Sequence, residues 1–128
     1  MPYINLTFAE SNPYYSSEDG IVYNKDKTEL IYVPTSVSGV FTIPDTVSSI
    51  DEKAFKDCVN LSKINLPSTL TAIPNSLFSG CTSLKEVEIP SSVKTIMGSA
   101  FAKSGIEKIV VPNGVEQIVS GAFSNCAN

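Results

Sequence analysis

The chain has no histidine, no tryptophan and no arginine, and its 128 residues include only three cysteines. Without histidine, serine nucleophiles lack their usual base and imidazole zinc sites are excluded. Cys58, Cys81 and Cys126 are spaced by 23 and 45 residues, which matches no metal-ligand pattern, and the odd count is unlike a disulfide framework. There is no glycine-rich phosphate loop. Nine lysines stand against thirteen acidic residues, a net charge of −4 without a basic cluster, so nucleic-acid binding is not expected. No apolar run reaches the roughly 18 residues of a membrane-spanning helix. The opening, MPYINLTFAE, has no charged region followed by an apolar one, so no signal peptide is read and the chain is expected to be cytosolic or a mature or excised piece. What remains is a chain of single-domain length whose 42% apolar content argues against disorder.

Its organising feature is a repeat. LSKINLPSTLTAIPNSLFSGCTS, from Leu61 to Ser83, is followed by LKEVEIPSSVKTIMGSAFAKSG, in which Pro67, Leu70, Ile73, Phe78 and Cys81 return 23 residues later as Pro90, Val93, Ile96, Phe101 and Ser104. The frame extends back to Pro44, Val47, Ile50, Phe55 and Cys58, and forward to Pro112, Val115, Ile118, Phe123 and Cys126. Fixed-period self-similarity of this kind is the signature of a solenoid. Each Phe lies eleven residues after its Pro, whereas the prolines are 23, 23 and 22 apart, so the one deletion falls in the turn where Ser104 and Gly105 run into Ile106. The segment before each proline alternates like a strand exposed on one face, and proline, having no N–H, closes it. A turn, a second short apolar segment and an A-F return follow. Only about one helical turn fits between Ile and Cys, so short 3₁₀ or one-turn helices are expected outside a right-handed β-rich coil with parallel concave strands. One residue type at a constant offset must occupy equivalent space in every coil, so Phe55, Phe78, Phe101 and Phe123 are expected to stack in one buried column. The cysteines share a repeat position too, where parallel side chains are poorly placed to bridge, and are expected as reduced, buried core fillers.

The domain is therefore divided into a partial repeat over 1–8, with Met1, Ile4 and Leu6 on repeat positions, a hairpin insert over 9–38, and four tandem repeats of 22–23 residues over 39–128. In the insert, Gly20 to Tyr23 and Glu29 to Val33 read as strands around a polar turn from Asn24 to Lys27. Tyr14, Tyr15, Tyr23 and Tyr32 all lie there, as a hydrophobic cluster covering the side of the solenoid or as an exposed aromatic binding patch.

Strand residues facing away from the core are the other candidates. Four before each proline stand Val40, Lys63, Glu86 and Lys108; two before it stand Thr42, Asn65, Glu88 and Val110. Parallel strands about 4.8 Å apart would turn Lys63, Glu86 and Lys108 into a ladder of alternating sign, with Lys85 and Glu107 paired beside it. Glu88, flanked by uncharged neighbours, remains an unpaired acidic spot. As a carboxylate pair Glu86 and Glu88 lack the cleft and opposed acid that a glycosidase needs. Asn5-Leu6-Thr7 and Asn60-Leu61-Ser62 match glycosylation acceptors, but Leu61 is a core position and both are discounted.

The pattern L-x-x-I-x-I-P-x-S-V-x-x-I-x-x-x-A-F-x-x-C resembles the BspA-like leucine-rich repeats, or Treponema pallidum type, over residues 39–128. The sequence departs from it at Ser104 for Cys, Ser38 for the leading Leu, and Pro74 and Met97 where Gly is frequent. The resemblance implies a cell-surface or secreted protein, usually much longer, that adheres to host proteins, other cells or matrix. Taken together, these readings lead to the expectation of a non-catalytic protein-binding or adhesive module without cofactors, whose partner is a protein or a host surface or matrix protein. Its contact surface would draw on Tyr14, Tyr15, Tyr23, Tyr32, Thr42, Asn65, Glu86, Glu88 and Lys108. The alternative is a structural spacer, which the balanced Lys/Glu ladder favours. Neither end reads as a polar cap, so a fragment of a longer array, or end-to-end self-association, is expected.

Overall fold

The structure, a computed structural model, describes residues 7–126. Of the partial repeat expected over 1–8, only Thr7 and Phe8 fall among them; Met1, Ile4, Leu6 and the Asn5 acceptor lie outside the described residues. Eleven short strands form three sheets among the described residues.

The first sheet joins β4 (Gly39–Thr42), β6 (Leu61–Asn65), β8 (Glu86–Glu88) and β10 (Lys108–Val110), all parallel, one strand from each coil. Behind each proline the N–H of Val47, Leu70, Val93 or Val115 donates to the proline carbonyl and closes a β-turn. The chain then enters a second parallel sheet, in which β7 (Ala72–Ile73) pairs with β9 (Thr95–Ile96) and β9 with β11 (Gln117–Ile118). The result is a β-solenoid of about four turns.

On the outer side, the described residues form successive single turns rather than the short helices expected. Two features explain this. Leu77, Ser79 and Cys81 donate their N–H groups to carbonyls three residues back, but Ser76, Phe78 and Gly80, interleaved with them, donate to Gly98, Ala100 and Ala102 of the next coil. A helical run would need every N–H for itself. In addition Asp57, Gly80, Lys103 and Asn125, each thirteen residues after a proline, take left-handed backbone angles with φ from 55° to 78°, which stops a right-handed turn from propagating.

The short third unit fits because of Gly105. A Cβ there would stand 2.2 Å from the Thr82 carbonyl oxygen of the coil below, and the Gly105 N–H donates to the Cys81 carbonyl at 3.2 Å. Removing one residue draws the chain onto its neighbour, and only glycine tolerates the approach.

The N-terminal segment is a three-stranded meander. β1 (Tyr15–Glu18) pairs antiparallel with β2 (Ile21–Asn24) across Asp19 and Gly20, both left-handed, as a two-residue hairpin turn requires. β2 pairs antiparallel with β3 (Glu29–Tyr32), and β3 runs parallel to β5 (Ser49–Ile50), with Leu30 opposite Ile50. The meander therefore continues into the coil. Two strands of it were expected from sequence, within a residue at either end; β1 was not.

The core is a set of columns. Phe55, Phe78 and Phe101 are fully buried, with ring centroids 5.3 Å and 5.4 Å apart, and Phe123 stacks 5.3 Å from Phe101. Phe41 meets Phe55 edge-on from the other end. Ile73 and Ile96 are wholly inaccessible, while Ile118, the same residue in the last coil, is 48% exposed, and Phe123 is half-buried. Each coil buries the one before it.

Candidate functional site

The outward face of the first sheet follows from strand geometry. Side chains alternate across a strand, so with Ile64 and Val87 in the core, the residues flanking them point away from it. Register then aligns the coils: Lys63 lies opposite Glu86 and Glu86 opposite Lys108, while Asn65 lies opposite Glu88 and Glu88 opposite Val110. Two rows result. One runs Val40, Lys63, Glu86, Lys108; the other runs Thr42, Asn65, Glu88, Val110.

Within the charged row Lys63 Nζ comes to 3.5 Å from Glu86 Oε1, and beside it Lys85 Nζ is 3.9 Å from a Glu107 oxygen. Exposed pairs of this kind contribute roughly 0.2–1 kcal/mol; their value lies in holding register. In the second row Asn65 Nδ2 donates to Thr42 Oγ1 at 2.9 Å. The side chain of Glu88, exposed in the middle of its row, has no hydrogen bond or ion pair among the described residues. Beside it Val110 is 71% exposed. A groove of about 550 Å³ runs over β8 and β10, lined by Lys85, Glu86, Glu88, Glu107, Lys108 and Val110 among others. Val40 and Val110 were placed in these rows by the sequence pattern, but nothing there marked them as more exposed than other valines.

The four hairpin tyrosines are not brought together as one patch. Tyr14 is the most exposed, and Tyr15 is exposed with its ring 5.2 Å from that of Phe8. Tyr32 is half-buried. Tyr23 is only 2% exposed and belongs to the core, so an outward-facing role for its ring is corrected. Tyr23 stands opposite Leu30, itself a core residue, where the β2–β3 register shifts; Val22 is buried as well, but outside that core cluster. Burial, with Glu18 nearby, raises the Tyr23 hydroxyl above its ordinary pKa, and Lys27 Nζ stands 5.6 Å above the ring. Phe8, the partner of Tyr15, carried no repeat signal that would have singled it out.

Cys58 and Cys81 are buried free thiols, as the repeat position implied; Cys126, in the last described coil, is half-buried. Each Sγ approaches a backbone carbonyl of the preceding coil: Val33 for Cys58, Phe55 for Cys81 and Phe101 for Cys126. Burial, with a smaller contribution from neighbouring negative charge, pushes Cys58 and Cys81 up to about 12. Such thiols are poor nucleophiles. Ser104 takes the same place in the third coil, its Oγ 3.8 Å from Cys126 Sγ.

The sequence model of the BspA type leucine-rich repeat region matches residues 25–128 in six copies, the first of them beginning within the hairpin segment. Several solved structures are similar over most of the chain, three of them as follows. The pneumococcal vaccine antigen PcpA is 26% identical over 92% of this chain, with a TM-score of 0.83. A leucine-rich cell surface protein from Faecalibacterium prausnitzii A2-165 is 29% identical over 88% of the chain, with a TM-score of 0.68. The leucine-rich repeat protein of T. pallidum is 25% identical over 91% of the chain, with a TM-score of 0.67. This chain spans 30%, 37% and 66% of those three structures, respectively. No match is found among curated proteins.

Proposed function

This chain belongs to the BspA-type leucine-rich repeat family, and from that premise we propose that it is a non-catalytic protein-binding or adhesive module acting as part of a longer cell-surface or secreted protein. Repeats of this fold generally mediate protein interactions. The observation that carries the proposal is the outward face of the first sheet, where rigid parallel strands hold a row of side chains in fixed register. Ion pairing occupies Lys63 and Glu86, but Val40, Glu88 and Val110 are exposed and uncommitted to any neighbouring charge. Preorganised side chains of this kind bind at low entropic cost. Tyr14 and Tyr15 supply a second exposed surface at the hairpin. The partner is a protein, of the host surface or its matrix. A spacer function is the second reading, favoured by the ion-paired Lys63–Glu86 and Lys85–Glu107 positions, which spend charge on register.

Biolayer interferometry against a panel of purified matrix and host-surface proteins tests the proposal. The variants are a sheet-face triple, Val40→Ser, Glu88→Ser and Val110→Ser, and a hairpin double, Tyr14→Ser and Tyr15→Ser. Saturable binding to a panel member that one set abolishes, with the melting temperature preserved, is the expected result. Absence of binding to every panel member favours the spacer. Binding untouched by either set refutes both surfaces.

A further inference from the structure

The groove over β8 and β10 has an uneven charge economy. Five ionisable side chains line it: the carboxylates of Glu86, Glu88 and Glu107 and the ammonium groups of Lys85 and Lys108. Lys85 is engaged with Glu107 at 3.9 Å. Glu86 is approached by Lys63 at 3.5 Å and stands in register with Lys108. Glu88 is left over, on a strand whose core neighbour Val87 is buried, so its backbone is held firmly. The next residue along its row is not polar but Val110, the most exposed valine described. A carboxylate and an isopropyl group side by side on a rigid surface match one chemistry well: a cationic head on a methylene stem. Lys108 has no ion pair among the described residues either, but it stands in register with Glu86 and not with Glu88.

We infer that this groove takes an arginine or lysine side chain carried by an exposed segment of a protein partner, its head on Glu88 and its stem against Val110. The inference rests on the reading of the sheet face as a binding surface. An arginine offers two parallel N–H groups to the carboxylate and is the stronger candidate.

The test uses isotope-labelled protein, followed by nuclear magnetic resonance while acetyl-Gly-Arg-Gly-amide is titrated in. The citrulline analogue, close in shape but uncharged, is the control. The arginine peptide is expected to shift the amides of Glu88, Val110 and Lys108 saturably, and the citrulline peptide to bind about two- to fivefold more weakly. Glu88→Gln should weaken the arginine response about two- to fivefold, the range for an exposed charge pair, and Glu88→Lys should abolish it. Glu52→Gln, an exposed change on the outer turns, should leave it unaltered. Equal shifts with citrulline, shifts spread over every surface carboxylate, or an unchanged response in Glu88→Gln would each overturn the inference. If the arginine peptide fails while the sheet-face triple still loses protein binding, only the basic-side-chain inference falls. If both fail, the reading of the face falls with it.

Discussion

Truncation of the phenylalanine column should have a cost that depends on where in the stack it is made. Phe78 is fully buried, with a ring on each side at 5.3 Å and 5.4 Å. Phe78→Ala therefore removes buried apolar surface and leaves a cavity whose walls, the rings of Phe55 and Phe101, cannot collapse without breaking coil register. Substitutions of this type cost about 3–5 kcal/mol, and the two lost ring contacts argue for about 4 kcal/mol. Phe123 sits at the end of the column, half-buried, with Phe101 its only aromatic neighbour among the described residues. Phe123→Ala should cost about 1–2 kcal/mol, because that side chain has already left much of its surface in water. A protein of this size unfolds with an entropy of about 0.27 kcal/mol per degree, so the central variant should melt about 15 °C below the parent and the terminal one about 5 °C below. Calorimetry measures both. Denaturant titration followed by both circular dichroism and tyrosine fluorescence checks that the whole solenoid unfolds together, which repeat proteins need not do. If the two variants melt within a degree or two of each other, burial by the next coil is not what stabilises each phenylalanine.

Three further expectations can be checked with ordinary methods. Gly105→Ala, whose Cβ would lie 2.2 Å from the Thr82 oxygen, should cost about 2 kcal/mol or more, whereas Gly39→Ala, with open space around it but φ +69°, should cost about 1 kcal/mol; equal losses in urea titrations would contradict the close approach. Cys58 and Cys81, raised from 9.0 to about 12, keep their protons in the fold while the unfolded chain begins to lose them near pH 9. Stability from these thiols is thus fully present below pH 9 and lost progressively between 9 and 12; the parent should lose more stability over that window than the Cys58→Ser, Cys81→Ser double variant, and under native conditions Cys126 should react with a thiol reagent well before the other two. Lys63→Ser should change stability by less than about 1 kcal/mol, the exposed pair with Glu86 being weak; a larger loss in thermal melts would show that the ladder does more than hold register.

The sequence alone determined whatever depends on the repeat being a repeat. Because Phe55, Phe78, Phe101 and Phe123 keep one offset from proline, they had to share a column; because Lys63, Glu86 and Lys108 keep another, they had to share a row. Translation along a solenoid axis converts equal spacing into equal position without any further information. Tertiary structure decided what depends on local context. Tyr23 is buried because its face of the hairpin, opposite Leu30, meets the solenoid core, and which face does so is settled only on docking. The left-handed turn at Lys103, whose N–H donates to the Ser124 carbonyl of the next coil, has no glycine to announce it, and neither have those at Asp57 and Asn125. Glu88 was visible as an unpaired charge from its neighbours in the pattern. The exposure of Val110 beside it was not, because exposure depends on how far neighbouring side chains reach over the assembled sheet, in which β10 is an outer strand among the described residues.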